Sequence, residues 1–444
     1  MASTPHATAT LAGVTGISLS DEGRARLHER LAAHVEAGVV PGLAALVAAG
    51  QDVHVEVLGT PALDDAAPLQ RDAIFRIASL SKPIAAAGAM ALVDDGTFAL
   101  DDPIENWLPE LVERRVLRSL ESPLSDTVPA ARAITVEDLL TFRLGFGAVM
   151  APPGTYPIQD AEAELGLMTL GPPWPPPPWD TDEWVSRFAT LPLLHQPGDG
   201  WLYNTGAHLL GPLIERVTGG SLEAFLRTRL FDPLGMADTS FAVPAAKVDR
   251  FTTAYWPDPE GGGLNVLDLP RGGWWNTPPA MANAAGMLVS TLDDFWAFVA
   301  MLRSGGLHGS QRILSHASVT AMTTNHLTEL QRMSAPLFLG ESGGWGYGMA
   351  APGPLPEAAE PPVPWGYGWD GGTGTTWRTD PVRGLTGLLF TQRAMTSPAP
   401  PPLFVDFWDA AYGSLSGCPG EARRTARAAQ AGHRYAGHRR EHAT

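Results

Sequence analysis

Residues Phe75–Pro83 read FRIASLSKP. Lys82 stands three residues after Ser79, and side chains three apart on a helix share one face, so the two can touch. Proline lacks an N–H and is tolerated only in the first helical turn. Pro83 therefore requires a helix that begins within a few residues before it, with Ser79 at the N-terminus. There the backbone N–H groups are unpaired and the helix dipole is positive, a favourable setting for a developing oxyanion. The residue before a proline disfavours helical angles, so Lys82 is expected to be slightly strained.

A serine is a weak nucleophile until a base takes its proton. Of the 30 basic residues only Lys82 and Lys247 are lysine; all the others are arginine. Arginine cannot lose its proton near neutral pH, whereas a desolvated lysine can. Ile77, Ala78, Ile84 and Ala85 around Lys82 would supply that desolvation and push the amine toward neutrality.

Composition narrows the alternatives. The chain has 444 residues, 44% hydrophobic, so it can bury a sizeable core as one large domain or two interleaved ones. The net charge of −17 argues against nucleic acid, whose phosphates need a basic face. The single cysteine, Cys418, excludes a disulfide framework and a cysteine-rich zinc site. The histidines are scattered and form no H-E-x-x-H pattern, so neither metal nor cofactor is expected. No α/β-hydrolase nucleophile elbow, G-x-S-x-G, is expected either. The first residues lack a basic and apolar leader pattern, and the apolar run Ile84–Val93 is half the length a bilayer needs. The expectation is a cytoplasmic protein that engages no membrane.

Along the chain, residues 1–20 read as a disordered leader. Asp21–Ala37 has helical spacing, with Leu27, Leu31 and Val35 at steps of four. Pro41–Leu58 reads as two strands around a turn near Gly50–Asp52. Ser79–Asp95 is an alanine-rich helix ended by Gly96. Helical patches such as Val136–Phe142 and Leu222–Leu230 fill the middle. Gly171–Trp179, GPPWPPPPW, reads as a stiff loop suited to walling a cleft, and Trp and Pro at 274–279 fit the same apolar cleft. Strands return at Gly374–Arg378 and Leu385–Gln392, then a helix at Phe404–Leu415. Residues 416–444 read as a disordered basic tail. The fold class expected is α/β: a sheet built from both chain ends and flanked by helices (about 21–78 and 286–415), with an all-helical insertion (about 79–285).

Four segments then carry a resemblance: FRIASLSKP, HQPGDGWLYNTGAHLLG at His195–Gly211, LFDPLGMADTSF at Leu230–Phe241 and WDGGTGTTW at Trp369–Trp377. In this order the chain, over about residues 20–415, resembles the serine β-lactamase and penicillin-binding-protein superfamily. Its class C-like branch, which includes carboxylesterases and D-amino-acid amidases, is the part it is most similar to. The resemblance implies a β-lactamase-like fold with an antiparallel sheet. It makes Ser79 the nucleophile, Lys82 its partner and Tyr203 the phenol that shuttles the proton. Tyr203–Asn204–Thr205 stands where the usual pattern is Tyr-x-Asn, so either Thr205 takes the third, substrate-facing position or the register slips by one.

By the same resemblance, Trp369–Asp370–Gly371–Gly372 matches a Lys-Thr-Gly strand that lines the substrate. The N–H groups of Ser79 and Gly372 would form the oxyanion hole. Trp369 replaces a lysine that would meet a β-lactam carboxylate, and offers an apolar wall instead. The implied activity is that of a serine hydrolase on small-molecule carboxylic esters through an acyl-enzyme, with acyl transfer to an alcohol as a variant. An amidase or weak β-lactamase of the same fold is the alternative, and a catalytically silent ligand-binding relative is the reading from another class. Oligomeric state is not legible in the sequence.

Overall fold

The computed structural model describes residues 17–167, 178–340, 343–353 and 366–416. Its framework is one seven-stranded antiparallel sheet. In chain order the strands are β1 (Gly42–Ala49), β2 (Asp52–Gly59), β3 (Gly343–Trp345), β4 (Ala350–Pro352), β5 (Tyr367–Gly371), β6 (Thr375–Asp380) and β7 (Leu385–Thr391). Their spatial order is β3-β4-β5-β6-β7-β1-β2. The two halves of the sheet meet where Leu388 pairs with Leu46, so both ends of the chain build it, as expected.

Strand β1 shows why this sheet lies at the centre. Every residue in it is buried. Its side chains alternate between faces, as the two-residue period of a strand demands. Leu43, Ala45 and Val47 join a core beneath the helices α1 (Asp21–Glu36) and α4 (Pro402–Gly413). Ala44, Leu46 and Ala48 join the larger core on the opposite face. That core is built around α2 (Ser81–Asp94), whose residues Ser81–Leu92 are all buried. Gly96, at φ +69°, lets the chain leave α2 in the left-handed conformation.

Three expectations need correction. Ser18–Leu19 pairs with Leu415–Ser416, and Ser20 caps α1, so ordered chain begins before residue 21 and includes Ser416. The middle of the chain is not all-helical. It holds the hairpins Arg115–Leu117/Thr127–Pro129 and Ala254–Pro257/Leu264–Asp268, with strands too short to leave a readable alternation. Trp275 is not a cleft residue. It is buried with Ile74, Val243, Phe251 and Val289, and its indole N–H donates to the Met287 carbonyl. Residues 1–16, most of the Gly171–Trp179 loop and the tail beyond Ser416 lie outside the described residues. Among the described residues no helix is long and apolar enough to cross a membrane.

Candidate active site

A short turn, Ala78–Leu80, runs directly into α2, and Ser79 sits at its centre. The backbone strain lies at Ala78, with φ +42°, rather than at Lys82, which is regular helix. An L-residue in that region costs on the order of 1 kcal/mol, and the surroundings hold it there. The Ile77 N–H donates to the Leu288 carbonyl, and the Thr373 hydroxyl donates to the Arg76 carbonyl. The Ser81 hydroxyl donates to the Ala78 carbonyl at 2.7 Å and accepts the Leu288 N–H at 3.0 Å. Ser81 is thus a brace, which leaves Ser79, partly exposed, as the serine facing outward.

One helical turn on, the Lys82 Nζ lies 2.8 Å from the Ser79 Oγ and donates to the Ala285 carbonyl at 2.6 Å. Lys82 is 1% exposed and forms no ion pair among the described residues. Desolvation therefore holds its amine well below the usual lysine range. A neutral amine has two hydrogens and one lone pair. With one hydrogen committed to Ala285, the lone pair is available to the Ser79 hydroxyl.

Tyr203 arrives from a different part of the chain. The Leu202 N–H donates to the Phe142 carbonyl, the Ala148 N–H donates to the Tyr203 carbonyl, and Asn204 turns the backbone at φ +90° into the helix α3 (Thr205–Thr218). The Tyr203 hydroxyl donates to Ser79 Oγ at 2.9 Å and accepts from Trp369 Nε1 at 2.9 Å. Burial pushes the phenol up to about 12, so it keeps its proton at neutral pH. Phe142, Trp201, Phe338 and Trp345 pack around its ring. Sequence reasoning missed this cage, because its members are scattered over some two hundred residues.

Strand β5 closes the other side. A Cβ at Gly371 would overlap the Ile77 carbonyl oxygen and the Thr375 hydroxyl, so only glycine lets the strand lie against the serine turn. At Gly372 the same position opens into free space. Among the described residues no backbone carbonyl accepts the Ser79 or the Gly372 N–H.

Two expected substrate contacts are not in position. Asp370 alternates to the far face of β5, where it binds Arg378 at 2.9 Å and Thr376 at 2.6 Å. Thr205 is fully buried in the first turn of α3 and offers no surface to a ligand. The expected absence of a nucleophile-elbow pattern also fails on the letter, since Gly340–Gly344 reads GESGG. That segment runs from helix Pro336–Leu339 into strand β3. A nucleophile elbow runs from strand to helix, and Ser342 lies outside the described residues.

The fold and site thus define a β-lactamase-like protein with a serine, a lysine and a tyrosine converging at one crevice. The chain belongs to the Beta-lactamase family, whose model matches residues 24–403. Protein Rv1367c of Mycobacterium tuberculosis is 36% identical over 392 residues, covering 86% of this chain and 91% of its own. Esterase EstB of Burkholderia gladioli is 28% identical over 389 residues, 84% of this chain and 90% of its own. Among solved structures, EstCE1, described as a hydrolase with promiscuous acyltransferase activity, superposes with a TM-score of 0.72. It is 23% identical, over 88% of this chain and 99% of that one.

Proposed function

We propose that the protein is a serine carboxylesterase acting on small-molecule esters through an acyl-enzyme. The carrying observation is that the Ser79 Oγ lies 2.8 Å from a buried amine and 2.9 Å from a buried phenol; desolvation lowers the amine well below the lysine range and pushes the phenol up to about 12. Lys82 takes the Ser79 proton as the Oγ bonds to the ester carbonyl carbon. The N–H groups of Ser79 and Gly372 receive the oxyanion. The carbon–oxygen ester bond breaks, and the leaving oxygen takes a proton from Tyr203, which Lys82 resupplies. Water, or a second alcohol, then attacks the acyl-enzyme by the reverse route.

Two further observations favour esters. Trp369, at the position that the resemblance gives to a lysine, sets an indole against Tyr203, and EstB is named an esterase. The test is incubation with a fluorophosphonate followed by intact-mass measurement, alongside turnover of short acyl esters. A single adduct on Ser79 and loss of both signals in Ser79→Ala are expected. Full turnover by Ser79→Ala, or faster cleavage of D-amino-acid amides than of esters, contradicts the reading.

A further inference from the structure

A cleft of about 330 Å³ is lined in part by Tyr203. That volume suits a small organic group, since ligand pockets run from roughly 300 Å³ upward. Val149, Met150, Leu194, Leu337 and Phe338 give it apolar walls. Apart from Tyr203, His195 is the one ionisable residue among those lining it. Tyr203 belongs to the lining, whereas Ser79, Trp369 and Gly372 do not. Phe338 stacks on the Tyr203 ring with centroids 4.5 Å apart, and the Lys82 Nζ lies 4.6 Å from the same centroid. At the mouth, Met150 and Leu337 are 45% and 49% exposed.

Resting on the esterase reading above, we propose that this cleft holds the alcohol half of the ester, and that the preferred substrates are esters of bulky apolar alcohols. The proton route decides which half enters. Tyr203 is the group placed to protonate the leaving oxygen, so that oxygen must sit at the Tyr203 hydroxyl. The carbon bonded to it then extends toward Tyr203 and its neighbours Val149, Leu202 and Phe338, which line the cleft. The acyl chain is attached instead to the carbonyl carbon on Ser79, beside strand β5, and leaves the reaction centre in another direction. In acylation the Ser79 Oγ–carbon bond forms and the carbon–alkoxy bond breaks. The serine proton ends on the alcohol, which departs through the cleft. Hydrocarbon walls favour an apolar alcohol by the area they remove from water.

Three esters test this with the full chain: ethyl butyrate, cyclohexylmethyl butyrate and ethyl cyclohexylacetate. The two butyrates share one acyl-enzyme, so their kcat/KM ratio reports the alcohol alone. The expected ratio favours cyclohexylmethyl butyrate by about tenfold or more. Val149→Trp, which fills the cleft, and Met150→Asp, which charges its exposed rim, are each expected to lower that ratio at least fivefold. Cyclohexylmethanol is expected to inhibit competitively. If the variants instead depress the ratio of ethyl cyclohexylacetate to ethyl butyrate, the cleft holds the acyl chain and the proposal falls. Turnover with both ratios unmoved overturns the cleft assignment alone. No turnover of any ester and no adduct on Ser79 overturns the esterase reading itself.

Discussion

The indole N–H of Trp369 donates to the hydroxyl oxygen of Tyr203 at 2.9 Å. An indole nitrogen can only donate, so this contact occupies the phenol oxygen as an acceptor and leaves its hydrogen aimed at Ser79. Trp369 therefore orients the proton relay as well as forming a wall. The sequence alone points only to the wall.

Trp369→Phe keeps the ring and removes the N–H. A neutral hydrogen bond contributes about 1 kcal/mol, so kcat is expected to fall roughly five- to tenfold with little change in KM. Asp370→Asn, one residue along, is the contrast. Its side chain lies on the far face of β5, in a largely buried pair with Arg378. It is expected to leave kcat within about twofold and to cost about 1 kcal/mol of stability, read from denaturant unfolding.

The pH profile follows from which group is neutral. Lys82 must be unprotonated to accept the serine proton, and desolvation holds its amine well below the ordinary lysine range. Activity is therefore lost as pH falls through that lowered value and recovered as pH rises past it. Tyr203, pushed up to about 12, stays protonated across the working range and adds no alkaline limb there. The measurement is kcat/KM between pH 5 and 10. A decline from pH 7 to 9 with intact protein would contradict the assignment of Lys82 as base.

The same lysine costs stability. Desolvation lowers the folded amine well below its unfolded value, so between the two values the unfolded chain holds a proton that folding releases. Stability then rises with pH toward the ordinary lysine value of 10.5. Lys82→Met matches the side chain in length and needs no proton release. It is expected to abolish turnover, raise Tm at pH 7 by about 2–5 °C, and flatten the rise of Tm with pH. A lower Tm in the variant would show that the hydrogen bond to Ala285 outweighs the desolvation.

What the sequence carried and what it hid divide along physical lines. FRIASLSKP placed Ser79 and Lys82 together because helix spacing and the proline constraint are local. Strand β1 was legible as an unbroken apolar run, because both faces of a central strand are buried. Tyr203 came from resemblance, since nothing local brings it to Ser79. The positive φ at Ala78 and Asn204 was illegible, because neither residue type demands it; tertiary contacts hold them there. Thr205 and Asp370 were misplaced because a motif gives order along the chain. Whether a side chain meets the cleft depends on strand register and on where α3 starts.

His208 gives the last prediction, on acid stability. It is fully buried one helical turn after Asn204, with its Nε2 3.3 Å from the Asn204 Nδ2, which donates to it. Its ring lies edge-on to Trp184. Desolvation, aided by the nearby Lys82, pushes the imidazole down to about 3. In the unfolded chain the same group titrates near 6.5. Below that value the unfolded state takes up a proton that the folded state refuses, so stability falls steadily from about pH 6.5 toward pH 3. His208→Leu removes this proton linkage, and the drop in Tm between pH 6.5 and 4 is expected to be smaller than in the natural chain. It also removes an acceptor of the Asn204 side chain, at the backbone turn that leads from Tyr203 into α3. His208→Leu should therefore lower kcat more than it alters KM, while His208→Gln, which can still accept from Asn204, should recover most of the loss. Equal loss in both variants, with the acid limb of Tm unmoved, would show His208 to be packing alone.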